Sequence, residues 1–271
     1  MRFLINGIDE QRLPAEDRGL AYGDGVFRTF RLRFGRALHW ELQHHRLESD
    51  CAALGLKAPD AELLASELLR LGSGEAEAVG KIIVTRGVGA RGYDPGRCGS
   101  VTRLVGVGGM PDIPRSHGES GVRIRLCQLR LADQPRLAGI KHLNRLENVL
   151  ARGEWDAPEI AEGLLLNKHD RVVEGTMSNL FLVHDGALLT PDLTRSGVAG
   201  VQRARILASG PSLGYEVRVR DLGVPDVLCS DEAFMVNSVI GLWPIRALGD
   251  REWTVGPVTR RIAGELFHEL A

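Results

Sequence analysis

The chain has 271 residues, with 34 basic and 35 acidic side chains and a formal net charge of −1 at pH 7. Because a single domain typically has about 100 to 200 residues, this length predicts two modest domains or one large one. The balanced charge argues against nucleic acid as the main partner, since phosphate backbones are bound by a clustered basic excess. No apolar stretch approaches the roughly 18 residues of a transmembrane helix, so we expect no membrane span.

The N-terminus and the cysteines together indicate a reduced, cytoplasmic setting. The opening MRFLINGIDEQ has one positive charge, a very short apolar run and then acidic residues, which fits neither a signal peptide nor a transit peptide. The four cysteines are scattered without C-x-x-C spacing, at Cys51, Cys98, Cys127 and Cys229. The histidines show neither H-x-x-x-H nor H-E-x-x-H spacing, so the sequence predicts no disulfide framework and no metal site.

The first half of the chain mixes strand and helix patterns. Strands are predicted in RFLING, GVFRTFRLRFG and ALHW, and later in KIIVTRG and VTRLVGVGG, which are rich in β-branched residues. Between them, ELQHHRLESDCAALGL places Leu47, Cys51 and Leu54 on one helical face. The run DAELLASELLRLG begins with Asp60, a residue typical of a helix N-cap, and predicts a second helix.

A change of composition separates the two halves. Residues 108–120, GGMPDIPRSHGES, combine glycine, two prolines and polar residues without periodicity, which predicts an interdomain linker. Beyond it, strands are predicted in VRIRLCQLRL, EGLLLNKHDRVVEG, NLFLVHDGALLTP, YEVRVRDL and DEAFMVNS, and helices in LNRLENVLARGEW, VQRARILAS and VTRRIAGELFHEL. The sequence therefore predicts an α+β protein with an N-terminal domain over residues 1–107 and a C-terminal domain over residues 121–271.

Lysine is rare in this chain, and one lysine stands in an apolar run. Only four of the 34 basic residues are lysine, at Lys57, Lys81, Lys141 and Lys168. The first two and the last have the surroundings of solvated surface residues. Lys141, within LAGIKHLNRLENVLA, is flanked by apolar residues that would lower the pKa of its amine, as Schiff-base chemistry requires. The alternative is a lysine at a helix start whose amine reaches solvent along an apolar surface.

Other segments have features that suit anion binding. GVAG before VQRARIL places small residues at a helix N-terminus, where backbone N–H groups favour phosphate, although such turns also simply join a strand to a helix. The loop TRGVGARGY gathers Arg91 and Tyr93 beside a strand end, a setting in which arginines often bind carboxylates. Glu174 and Arg46 also read as ordinary surface residues, the first at a hairpin end and the second beside a helical apolar stripe.

Taken together, five ordered motifs resemble the fold-type IV family of pyridoxal-phosphate enzymes, the aminotransferase class IV fold. They are DRGLAYGDGVFRTFR, TRGVGARGY, GIKHLNRLENVLAR, VVEGTMSNLF and GVAGVQR, and they span nearly the whole chain. The resemblance implies a two-domain homodimer with pyridoxal 5'-phosphate at the domain junction. It also implies that Lys141 is the catalytic lysine that binds the cofactor's aldehyde.

The resemblance further implies the remaining cofactor-binding residues. Glu174 matches the carboxylate that pairs with the pyridine nitrogen, which keeps the ring protonated as an electron sink. Arg46, in HHRL, matches the arginine that holds the phosphate. The other implied phosphate-binding residues are Val201 and Gln202, through their backbone, and Ser238 with the adjacent Asn237.

Within the family, KHLNRL is most similar to the branch that converts 4-amino-4-deoxychorismate to 4-aminobenzoate and pyruvate for folate biosynthesis. Phe27 stands where D-amino-acid transaminases have a tyrosine, and Arg91 and Tyr93 match their substrate-carboxylate pair, in which the second residue is a histidine. We therefore assign Phe27, Arg91 and Tyr93 to the substrate, and we expect the pair Arg91 and Tyr93 to act across the dimer. The alternatives are a branched-chain or D-amino-acid aminotransferase and a catalytically silent binding protein of this fold.

Overall fold

A computed structural model describes residues 1–270 and divides the chain into two compact units. The first unit comprises Met1–Asp112 and Ile140–Asn144, and the second comprises Ile113–Gly139 and the chain from Arg145 onward. The chain thus passes between the units within the predicted linker, although this segment also includes a helical turn at Ser116–Glu119. The predicted C-terminal domain includes Ile140–Asn144, whereas these residues belong to the first unit. The predicted domain limits stay a prediction.

The first unit is built on a six-stranded sheet with the order β2-β1-β6-β5-β3-β4. Its strands are β1 (Arg2–Ile5), β2 (Ile8–Asp9), β3 (Gly25–Arg33), β4 (Arg36–Ala37), β5 (Glu77–Thr85) and β6 (Thr102–Gly108). Its helices are α1 (Arg18–Tyr22), α2 (Trp40–Ala53) and α3 (Ala61–Gly72). The predicted N-cap is confirmed, because the Asp60 side chain accepts a hydrogen bond from Leu63 N at 2.9 Å.

Alternation along β3 determines which face of this sheet is buried. Val26, Phe30 and Leu32 are at most 1% exposed and join the core beneath α2 and α3, whereas Phe27 and Thr29 on the other face are half-buried. Phe27 pairs with Ile83 and Thr29 pairs with Lys81 on β5, so these four side chains share that second face.

The second unit contains a longer sheet with the order β12-β11-β10-β14-β15-β7-β8-β9-β13, to which β16 adds at β15. The strands are β7 (Val122–Leu131), β8 (Ile160–Asn167), β9 (Arg171–Gly175), β10 (Asn179–His184), β11 (Ala187–Pro191), β12 (Val217–Arg220), β13 (Leu222–Gly223), β14 (Glu232–Asn237), β15 (Gly241–Leu248) and β16 (Arg251–Glu252). The helices are α4 (Ser116–Glu119), α5 (Leu146–Arg152), α6 (Val201–Ser209), α7 (Val224–Leu228) and α8 (Pro257–Leu266).

Central strands of this sheet are buried on both faces. Five consecutive residues are buried in each of β10, β11 and β14, and two apolar clusters, one including Leu164 and one including Leu165, take alternate residues of β8. A continuous apolar run such as LLL is therefore the appropriate pattern here. The predicted α+β mixture is confirmed, and within residues 1–270 no helix has the length and apolarity needed to cross a membrane.

Two predicted elements are wrong in part. ALHW was predicted as a strand, but only Ala37 is in β4, and Trp40 is the first residue of α2. The Trp40 ring packs against Phe30, with centroids 6.2 Å apart. The helix predicted from Leu143 begins only at Leu146. The pattern also missed β15, whose Pro244 is unusual inside a sheet but precedes Ile245, where pairing with β7 begins.

Candidate functional site

The backbone around Lys141 is extended and pairs with β3. Phe27 N donates to Lys141 O at 2.9 Å, Leu143 N donates to Gly25 O at 2.9 Å, and Val26 and His142 form a β-bridge. This pairing explains why Ile140–Asn144 belongs to the first unit. The lysine therefore stands on a backbone fixed by the sheet and not at a helix start.

The Lys141 side chain is half-buried, and its Nζ lies 4.5 Å from the centroid of the Phe27 ring. On the N-terminal side of Lys141, Ile140 is 6% exposed and joins the core. On the C-terminal side, Leu146 is 68% exposed, so the predicted apolar surroundings are present on one side of the lysine only. The Lys141 amine is thus partly shielded from solvent and faces the π-surface of Phe27.

The other lysines differ from one another. Lys57 and Lys168 are exposed, as expected, whereas the prediction of a solvated Lys81 is wrong. Lys81 is half-buried, and its Nζ lies 5.5 Å from the centroid of the same Phe27 ring. Phe27 is thus brought together with two lysine amines. Pairing between β3 and β5 places Lys81 there, a long-range feature that sequence pattern alone does not give.

Arg46 is linked to the lysine segment through a buried carboxylate. Its Nε lies 3.3 Å from Oδ1 of Asp50, and Oδ2 of Asp50 accepts from Lys141 N at 3.1 Å and also from Arg28. The spacing of four residues between Arg46 and Asp50 was the available signal for this pair. Sequence reasoning missed both Asp50 and Arg28.

The loop that follows β5 presents Arg91 and Tyr93 to solvent. Both side chains are exposed, Tyr93 by 84%. The loop backbone is nevertheless held, since Arg18 donates to Gly92 O at 2.7 Å and Tyr22 Oη accepts from Gly92 N at 3.2 Å. The first unit thus holds the backbone of the loop while its Arg91 and Tyr93 side chains face solvent.

Glu174 lies at the end of β9 in the second unit and is 4% exposed. Its Oε2 accepts from Val198 N at 2.9 Å and from Asn179 Nδ2 at 3.3 Å. Asn179 Nδ2 also donates to Val198 O at 2.8 Å, and Asn179 Oδ1 accepts from Gly200 N at 3.1 Å. Glu174 is therefore not a hairpin-end carboxylate facing water, because it is tied to the GVAG turn.

Glycine is required at two positions of that turn. Gly197 has a φ of +86°, and a Cβ there would lie 2.6 Å from Val173 Cγ1. A Cβ on Gly200 would lie 2.3 Å from Asn179 Oδ1. Larger residues would therefore push the turn away from Glu174.

The N-terminus of α6 presents backbone N–H groups in the second unit. Gly200 is its N-cap, and the first-turn N–H groups of Val201 and Gln202 have no partner within the helix by geometry. Gln202 Nε2 lies 3.5 Å from Ser238 Oγ, so the turn after β14 stands beside this helix end. Asn237 supports that turn, since its Oδ1 accepts from Val239 N and Ile240 N at 2.8 Å each.

A second buried carboxylate, Glu162, supports the turn between β9 and β10. It is fully buried and accepts hydrogen bonds from the Thr176 and Ser178 hydroxyls and from Met177 N. Burial raises the pKa of Glu162, while these hydrogen bonds lower it in part. Sequence reasoning missed Glu162, which stabilises the turn that connects Glu174 to Asn179.

The residues described above form two groups, one around Lys141 in the first unit and one around Glu174 in the second. The class of protein that contains them is shown by comparison with a known family. The chain belongs to the amino-transferase class IV family, whose model matches residues 25–248. The fold class predicted from the five motifs is therefore confirmed.

Several relatives cover almost the whole chain. The crystal structure of 4-amino-4-deoxychorismate lyase from Pseudomonas aeruginosa is 44% identical, with a TM-score of 0.92, over 97% of this chain and 99% of that one. Aminodeoxychorismate lyase of Vibrio harveyi is 37% identical over 97% of this chain and 99% of its own. A putative branched-chain-amino-acid aminotransferase of Methanocaldococcus jannaschii is 30% identical over 100% and 96% of the two chains.

Proposed function

We propose that this protein is a pyridoxal-phosphate-dependent lyase that converts 4-amino-4-deoxychorismate to 4-aminobenzoate and pyruvate, a step that serves folate biosynthesis. The observation that carries the proposal is the near full-length similarity to two lyases. Among the curated relatives, identity to the lyase is 37% over 97% of the chain, against 30% for the putative aminotransferase. The half-buried Lys141 amine supports an enzyme over a silent binding protein.

The side chains and backbone groups of the predicted site have the chemistry needed to bind pyridoxal phosphate. Lys141 offers an amine beside an aromatic ring, and Glu174 offers a buried carboxylate whose Oε2 is already fixed by two N–H donors. Arg46 offers a cation, and the first turn of α6 with Ser238 offers neutral donors for a phosphate. Val201 and Gln202 would contribute their backbone N–H groups. Asn237 would act through the turn it supports.

Each side chain would then have a definite part in the elimination. When bound, pyridoxal phosphate supplies an aldehyde for the substrate amine and a ring that accepts electrons from a broken C–H bond. The Lys141 amine removes the proton from C4 of the substrate, and the C3–O bond breaks so that enolpyruvate leaves. Protonated Lys141 returns that proton to the methylene carbon, which yields pyruvate. Glu174 stabilises positive charge on the ring nitrogen throughout.

Cationic and hydroxyl groups of the first unit would bind the substrate's two carboxylates. Arg91 and Tyr93 are our candidates on the exposed loop, and they would act on the partner subunit's site in a dimer. Lys81 is a further candidate, because its amine lies over the same ring, Phe27, as the Lys141 amine. Phe27 would pack against the substrate ring.

A homodimer is the proposed assembly. Leu146, Val149 and Leu150 are each at least 57% exposed and lie at i, i+3 and i+4 on α5. An apolar helix face of this kind fits a protein partner, here a second copy. A mass equal to one chain in light scattering would contradict this assembly.

We also propose a cytoplasmic location, which the four free cysteines support.

The proposed function makes a prediction about product balance. An aminotransferase needs a keto acid to complete each cycle, whereas elimination does not. With 4-amino-4-deoxychorismate and no keto acid, we expect many turnovers and equal amounts of pyruvate and 4-aminobenzoate, measured by chromatography. The parallel assay supplies branched-chain or D-amino acids with 2-oxoglutarate.

Two results would contradict the lyase. One is product formation that stops after about one equivalent per active site and resumes on addition of 2-oxoglutarate. The other is amino transfer that runs much faster than elimination. Absence of both activities in protein that binds pyridoxal phosphate would favour the silent binding protein.

A further inference from the structure

Asp50 occupies an unusual position among the buried charges of the first unit. It lies on α2 and is 1% exposed, and its two oxygens contact three groups. Oδ2 accepts from Lys141 N at 3.1 Å and from the Arg28 guanidinium, and Oδ1 lies 3.3 Å from Arg46 Nε. The carboxylate thus contacts both the lysine segment and the arginine proposed to hold the phosphate.

Both ends of Lys141's backbone are fixed by this arrangement. Asp50 accepts from its N–H, and Phe27 N donates to its carbonyl oxygen at 2.9 Å. Arg28 follows Phe27 on β3, so one strand supplies a backbone donor to Lys141 and a side-chain partner to Asp50. Movement of Asp50 would therefore be transmitted to the lysine directly.

Two guanidinium groups, those of Arg28 and Arg46, contact the one carboxylate of Asp50. Arg28 is 3% exposed, and its burial lowers its pKa, an effect that Asp50 opposes and Arg46 adds to. Removal of the carboxylate alone would leave the buried Arg28 guanidinium without its Asp50 partner.

We propose that Asp50 is a positioning residue, which sets the Lys141 backbone and the Arg46 guanidinium relative to each other so that both reach one cofactor. This inference rests on the proposed function. Asp50 itself would touch neither the cofactor nor the substrate.

The test is Asp50→Asn, measured by titration of cofactor-free protein with pyridoxal phosphate and by its melting temperature. Loss of a charged hydrogen-bond partner predicts binding weaker by about 10-fold to 100-fold. Arg46→Ala should weaken binding by a similar factor. The matched control is Glu67→Gln, since Glu67 is a buried carboxylate of the same unit whose partner is Arg103, at 2.7 Å. It should lower stability and leave the dissociation constant within about twofold.

A double variant separates positioning from stability. Arg28→Met with Asp50→Asn removes the uncompensated buried cation, so it should regain melting temperature while binding stays weak. If Asp50→Asn alone does not fold, the cofactor affinity of the double variant tests the positioning role in its place. Wild-type affinity in Asp50→Asn, or recovery of affinity together with stability in the double variant, would overturn the positioning role. Failure of the wild-type protein to bind the cofactor would instead overturn the proposed function.

Discussion

Lys141→Ala is expected to abolish formation of 4-aminobenzoate and pyruvate, with turnover at least about 10³-fold below that of the wild type. The reason is that one amine has two tasks, to bind the cofactor's aldehyde and to carry the proton from C4 to the leaving enolpyruvate. The measurement is product formation by chromatography with excess pyridoxal phosphate, so that weaker cofactor binding does not limit the result.

The matched control is Lys81→Ala. Both amines lie near the Phe27 ring, at 4.5 Å for Lys141 and 5.5 Å for Lys81. If Lys81 binds a substrate carboxylate, its loss raises KM and leaves the cofactor covalently bound. Substantial turnover by Lys141→Ala, with none by Lys81→Ala, would mean that Lys81 binds the cofactor and that Lys141 does not.

Glu174→Gln is expected to keep the cofactor bound and to slow turnover by about 10-fold to 100-fold, the effect of losing a hydrogen bond to a charged group. A neutral amide does not hold the ring nitrogen as a cation, and the electron sink weakens. The substitution retains an oxygen that accepts from Val198 N, so the GVAG turn should stay in place. Steady-state kinetics measure the loss of turnover, and the visible spectrum of the bound cofactor shows whether the cofactor is retained.

Glu232→Gln is the control for this substitution. Glu232 is 6% exposed, lies on β14 and accepts from Val258 N and Thr259 N, which caps α8. It should cost stability without a change in the cofactor spectrum. Wild-type turnover in Glu174→Gln would show that Glu174 is not the partner of the ring nitrogen.

Local pattern predicted the regular elements of this fold well. GVFRTFRLRFG was predicted as a strand and forms β3, and Asp60 marked the start of α3. The apolar runs of β8 and β10 were equally clear, because strands buried on both faces need no alternation. These elements are determined by residues that are near one another in sequence.

Contacts distant in sequence were not predictable in the same way. Leu143 and Asn144 were predicted as the start of a helix, and only pairing with β3 makes the segment Ile140–Asn144 extended. Lys81 looked exposed because nothing in KIIVTRG indicates that Phe27 lies beside it. Asp50 appeared as one polar position on a helix, and its contacts with Arg28 and Lys141 depend on tertiary structure.

The resemblance to a family supplied what neither pattern nor local physics gave. A lysine in an apolar run and a small-residue turn at a helix N-terminus indicate an amine and an anion site, without a reaction. The similarity of KHLNRL to one branch added the substrate. Family membership is established by the match over residues 25–248, while the roles of individual residues stay predictions.

Lys141 is the residue that we propose binds the cofactor. Borohydride reduction of the wild-type protein loaded with pyridoxal phosphate, followed by peptide mapping, tests it most directly because it makes the link permanent and identifies the lysine. We expect one pyridoxyl group per chain, on the peptide that contains Lys141. A label on Lys81, the other amine beside Phe27, or on exposed Lys57 or Lys168 would contradict the account.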